Sequence, residues 1–210
     1  MSSSPEADIQ LAARRILELE SIKSELQNRL NHAQSTLDRC KMTYNLEYSG
    51  RAQLRRDLSD LEWSLHAYGN MLHQLQNVCE RTIDEFGVNL IHSSPIQHET
   101  PELLGIRHAI HHRGLMGLNM SPGEGESGVQ VLMPLESIRT HGSWGNGNSN
   151  FETHFHRIIG EGGKVVLIEP ILNQSQEKYE NIIEEMVLAL ELEFTRQALR
   201  EELSSSSLYN

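Results

Sequence analysis

Seven consecutive positions, Arg107-His108-Ala109-Ile110-His111-His112-Arg113, hold three of the chain's eleven histidines and two arginines. Imidazole titrates near neutrality and can take or give a proton, while guanidinium is a permanent planar fork for phosphate. Such groups suit cleavage of RNA by its own 2′-hydroxyl. That reaction needs a proton acceptor, a proton donor and positive charge on the phosphorane, with no obligatory metal or other cofactor. Arg107 and His112 supply one group of each kind. Five positions at ~100° each set them ~140° apart around a helix, so a second chain is needed to bring such groups into one cleft.

Two other readings of the same residues stand beside this one. His108 and His112 share a helix face at i, i+4, as do Arg107 and His111, which allows a zinc pair. A zinc protease would place glutamate after the first histidine, and position 109 is alanine. A third ligand would have to come from His141, or from His154 with His156. In the remaining reading the cluster only solvates an exposed helix flank.

Local signals put the cluster on a helix. Thr100-Pro101-Glu102-Leu103 has a capping threonine, a first-turn proline and a dipole-matched glutamate, and Gly114 follows Arg113 as a stop. Leu103, Ile106 and Ile110 fall at i, i+3, i+7 and form the expected buried face.

The spacing Arg107-x4-His112, with a polar residue after the arginine and an apolar one before it, resembles the R-x4-H signature of the HEPN superfamily. The likeness extends over residues 51–200, is carried by six residues and gains from long helices on both sides. It implies an all-helical domain acting as a metal-independent endoribonuclease in a toxin-like or antiviral-defence setting. Motif helices would meet across a two-fold homodimer. It implies Arg107, His112 and His108 as catalytic residues, with His111 and Arg113 beside them on the RNA substrate. Asparagine often stands where this chain has His108. In the branch paired with nucleotidyltransferase antitoxins a tyrosine follows the histidine by two positions; here Gly114 does, so that partner is not implied.

The scaffold begins with two rhythmic segments. Leu19, Ile22, Leu26, Leu30, Ala33, Leu37, Cys40 and Tyr44 are spaced by threes and fours, as are Leu54, Leu58, Leu61, Leu65, Tyr68, Leu72, Leu75 and Cys79. Both read as helices with one apolar stripe. Ser49-Gly50 between them predicts a protruding antiparallel hairpin rather than one rod, and Gly87 is the expected stop of the second helix. Trp63 and His66 flank the second stripe and are expected to cover its edge. The hairpin also offers a surface for a protein partner, the basis of a non-catalytic alternative function.

From Gly114 to Gly163 the chain is rich in Gly, Ser and Asn, with LNMSPGEGESG and HGSWGNGNSN its loosest stretches. No P-loop is present. Val129–Met133 and Lys164–Ile168 are β-type runs expected to pair as a ribbon. Between them, Phe151–Ile159 reads as a short helix or irregular segment, and His141 and Trp144 are candidate base-stacking residues. A last helix is expected from Ser175 to about Glu202, with Tyr179, Ile182, Ile183, Met186, Leu190, Phe194 and Leu199 on its apolar face, packed on the second long helix and the motif helix.

The expected organisation is a disordered start (1–6), a coiled-coil-like helix (7–50), a HEPN-like domain (51–202) with an insertion at about 114–170, and a disordered tail (203–210). The fold class is mainly α: a helical bundle with a long antiparallel N-terminal hairpin and a small β-ribbon insertion. A net charge of −11 argues against a broad nucleic-acid-binding surface and leaves room only for a local basic cleft. No stretch approaches the ~18 apolar residues of a membrane span, and the first residues lack a signal-peptide pattern. Cys40 and Cys79 read as buried free thiols, consistent with a cytoplasmic protein without membrane attachment.

Overall fold

A computed structural model of the chain describes residues 5–46, 51–88, 90, 106–107, 110, 117–123, 128–134 and 165–206. Two helices, α1 (Pro5–Asn45) and α2 (Arg51–Phe86), are followed by strands β1 (Asn119–Pro122), β2 (Val129–Pro134) and β3 (Val165–Leu167), then by α3 (Ile168–Ser206). The fold is mainly helical, with one small antiparallel sheet.

The heptad-like stripes account for the packing. Leu19, Leu26, Leu30, Cys40, Leu61, Leu65, Leu72, Leu75 and Cys79 are all buried, while Tyr44, Leu54 and Leu58 at the turn end are half-buried. Polar ties fix the direction. Thr43 meets Asp57, Arg39 meets Asp60, Arg81 meets Glu18, and Arg15 meets Glu85, so residues late in α1 face residues early in α2. The pair is the antiparallel hairpin that the sequence predicts. Gly87 ends α2 as expected: its φ is +63° and its N–H donates to Ile83 O at 2.8 Å.

The hairpin does not protrude. Helix α3 runs antiparallel along α1, with Lys41 Nζ 2.6 Å from Glu169, Tyr179 Oη donating to Gln27 Oε1 at 2.8 Å, and Lys23 Nζ 3.7 Å from Glu184. Its meetings with α2 include the Tyr68–Ser175 hydroxyl pair and an edge-on Phe86–Phe194 contact. One apolar core therefore joins all three helices. The expected face of α3 is buried from Tyr179 through Leu190 and half-buried at Phe194.

Helix α3 starts seven residues earlier than the sequence reading, at Ile168 instead of Ser175. Ile168, Ile171, Leu172 and Ser175 continue the buried stripe of Tyr179 upstream. Pro170 falls in the first turn, where a missing N–H costs nothing. The helix runs past Glu202 to Ser206, within the serine run Ser204–Ser207.

The sheet order is β1-β2-β3, both pairs antiparallel, with Leu132 of β2 opposite Asn119 on one side and Leu167 on the other. Pairing of β2 with β3 is the expected ribbon. Strand β1 is an addition, because Asn119–Pro122 lies in a stretch read as loop. Alternate residues of β2, Val129, Val131 and Met133, face the core.

Candidate functional site

Ile106, Arg107 and Ile110 have helical backbone. Ile106 and Ile110 are buried, as their spacing predicts, and anchor this turn in the common core. Arg107 is thereby held against α2, where its Nε donates to Oδ1 of Asn70 at 2.7 Å. Eight residues back along α2, the N–H of Leu118 donates to Oε1 of the buried Glu62 at 2.8 Å. The chain is thus clipped to α2 at two points ~12 Å apart along the helix axis.

The electrostatics at Arg107 are unusual for this acidic chain. Arg15 is buried and paired with Glu18 and Glu85; Lys41 is buried and paired with Glu169. Burial alone would lower the pKa of Arg15, but the bonds and charges of Glu85 and Glu18 raise it instead. At Arg107 burial lowers the pKa, and among the described residues no carboxylate pairs with it and its hydrogen-bond partner is a neutral amide. A half-buried cation held by an amide keeps its charge available to an anion.

Asn70 continues the network. With Oδ1 engaged by Arg107, its Nδ2 lies 3.5 Å from Nε2 of His66. The His66 ring in turn meets Trp63 edge-on, with centroids 5.9 Å apart at 76°. Trp63 does not cover the core stripe as expected. It is 56% exposed, because two positions from Leu61 and from Leu65 it lies about 160–200° around α2 from the buried face.

Of the residues singled out in the sequence, Arg107 is placed; His108, His111, His112 and Arg113 lie outside the described residues, between the two clips in sequence. His141, His154, His156, Trp144 and the Thr100–Leu103 cap also lie outside them. No three His, Cys, Asp or Glu side chains converge as a metal set among the described residues. Cys40 and Cys79 are free and buried, and burial pushes each thiol up to about 12, so neither is a nucleophile at neutral pH. Asn70 was missed by sequence reasoning, since nothing in the local pattern of α2 sets it apart, and His66 was read only as covering the edge of the stripe.

No helix in the described residues is long and apolar enough to cross a membrane. Comparison with family models, with curated proteins and with solved structures returns no match for this chain.

Proposed function

We propose that the protein is a metal-independent endoribonuclease of HEPN type, acting as a homodimer in the cytoplasm in a toxin-like or defence role. The observation that supports this reading best is the half-buried Arg107, held by the Asn70 amide and, among the described residues, facing no carboxylate. Keeping such a cation desolvated costs stability, and a phosphate ligand offsets that cost.

In this mechanism Arg107 binds a non-bridging phosphate oxygen and stabilises the charge that builds on the phosphorane. A histidine base removes the 2′-hydroxyl proton, the oxygen attacks phosphorus, and the 5′-oxygen leaves with a proton from a histidine acid. The products are a 2′,3′-cyclic phosphate and a 5′-hydroxyl. His112 of the two chains takes the acid and base roles, and His108 orients it. The dimer is required by the ~140° offset of Arg107 and His112 on one helix. His111 and Arg113 hold the flanking RNA backbone. Two free buried thiols support the cytoplasmic setting.

Incubation of the full chain with mixed RNA in EDTA tests the reading. Cleavage yielding cyclic phosphate ends, lost in both Arg107→Ala and His112→Ala, supports it. Equal cleavage by wild type and both variants overturns it, and cleavage abolished by EDTA supports a zinc hydrolase instead. A mixture of the two single variants regains activity only if a cleft is shared between chains.

A non-catalytic interaction role draws on a different observation. Leu17, Met42 and Leu46 are large, apolar and exposed on or just after α1. The hairpin's stripe is already consumed by α2 and α3, so a protein partner would have to use these residues.

A further inference from the structure

The exposed face of α2 beside Arg107 has the makings of a base-binding platform. At ~100° per residue, Arg55, Ser59, Trp63, His66, Asn70 and His73 fall within an arc of about 80°. All are exposed or half-buried. Glu62, the one carboxylate close to this arc between residues 55 and 73, is buried and turned to Leu118 N–H. In a chain with 29 acidic and 18 basic residues, a stripe of this length without an exposed carboxylate is a local departure from the overall charge.

Trp63 is the one large aromatic residue of this strip. It is 56% exposed, although indole is among the side chains that gain most from burial. Its ring and that of His66 meet in a T-shaped contact, which covers at most one face of the indole. It stands two turns, ~10 Å, along α2 from Asn70, which holds the Arg107 guanidinium. A short extended stretch of single-stranded nucleic acid spans that interval with a phosphate at Arg107 and a base over the indole. Stacking on an aromatic face is sequence-tolerant and does not require a broad basic surface.

We infer that Trp63 is a nucleobase-stacking residue, and that the strip from Trp63 through His66 to Asn70 binds single-stranded RNA next to the Arg107 phosphate site. Trp63 binds and orients substrate and takes no part in proton transfer. The inference rests on the reading of Arg107 as a phosphate-binding residue.

The test uses the full chain carrying Trp144→Phe, so that fluorescence reports on Trp63. The probe is a 2′-O-methyl adenylate hexamer, which cannot be cleaved through its own 2′-oxygen, and an abasic hexamer is the base-free control. Adenylate should quench the emission and the abasic strand should not. By titration calorimetry, which needs no indole, Trp63→Ala should weaken adenylate binding roughly 5- to 100-fold and leave abasic binding unchanged, while Trp63→Phe should stay within about threefold of the parent. Arg107→Gln should weaken both strands. If Trp63→Ala binds adenylate as well as the parent while Arg107→Gln does not, the platform is overturned and the phosphate site stands. If the parent chain binds neither strand, both readings fall. Since Trp63 is exposed, its variants should keep the parent's thermal midpoint, which confirms that they fold.

Discussion

Arg107 donates to the side-chain amide of Asn70 at 2.7 Å, whereas the buried Arg15 and Lys41 lie against carboxylates at 2.6 Å from Glu85 and Glu169. The difference separates two uses of a shielded cation. Arg15 and Lys41 tie helices together, and Arg107, among the described residues, faces no carboxylate.

Asn70→Asp puts a carboxylate where the amide now is. It should leave stability unchanged or raise it by about 1 kcal/mol, as an ion pair replaces a neutral bond. RNA binding and cleavage should both fall at least about tenfold, because the guanidinium is then neutralised. Urea midpoints and cleavage rates on the same samples check this; unchanged cleavage would show that the open charge is not used.

Glu62 accepts the N–H of Leu118 within a buried setting, and so holds the entry to β1 on α2. Glu62→Ala removes that acceptor and should cost about 1–3 kcal/mol. Glu62→Gln keeps an oxygen there and should cost less. Amide exchange at Leu118 would report the difference directly, rising strongly in the alanine variant alone.

The buried thiols predict a decline in stability at high pH. Burial raises Cys40 and Cys79 from 9.0 to about 12, so above pH 9 the unfolded chain loses protons that the folded chain keeps. Stability should therefore fall by roughly 1.4 kcal/mol per pH unit for each thiol between pH 9 and 12. Chemical denaturation at pH 8, 9 and 10 measures the slope, and Cys40→Ala with Cys79→Ala should remove the part due to the thiols. Tyr179, which burial also raises to about 12, adds to what remains.

Gly87 closes α2 at φ +63°, in the left-handed region that favours glycine. Gly87→Ala should destabilise the chain by about 1 kcal/mol, although a Cβ there meets no neighbouring atom within 4 Å. Gly87→Asn should cost less, and thermal unfolding of the pair distinguishes backbone strain from packing.

The helices were legible because each buries one stripe, and a stripe repeats at a fixed period in sequence. Leu19 to Cys40 and Leu61 to Cys79 are read correctly on that ground, and so is Gly87 as a stop. Strand β1 was not legible: Asn119-Met120-Ser121-Pro122 lacks both alternation and β-branched residues. Its pairing comes from β2, whose Val129–Met133 alternation supplies the pattern for both. The early start of α3 was readable from Ile168, Ile171, Leu172 and Ser175, but the β-branched run Val165–Val166 next to them pulled the boundary towards strand.

The site divides in the same way. Arg107 stands out through its local spacing with His112. Asn70 lies 37 residues away, and only tertiary packing brings it to Arg107. Trp63 was visible as a residue off the stripe, and its place about 160–200° around α2 from Leu61 and Leu65 turns it to water.

Leu167 ends β3 and Ile168 begins α3, with no residue between them. With no linker residue between them, the direction in which β3 leaves the sheet sets where α3 enters the three-helix core, at the buried Ile168, Ile171 and Leu172.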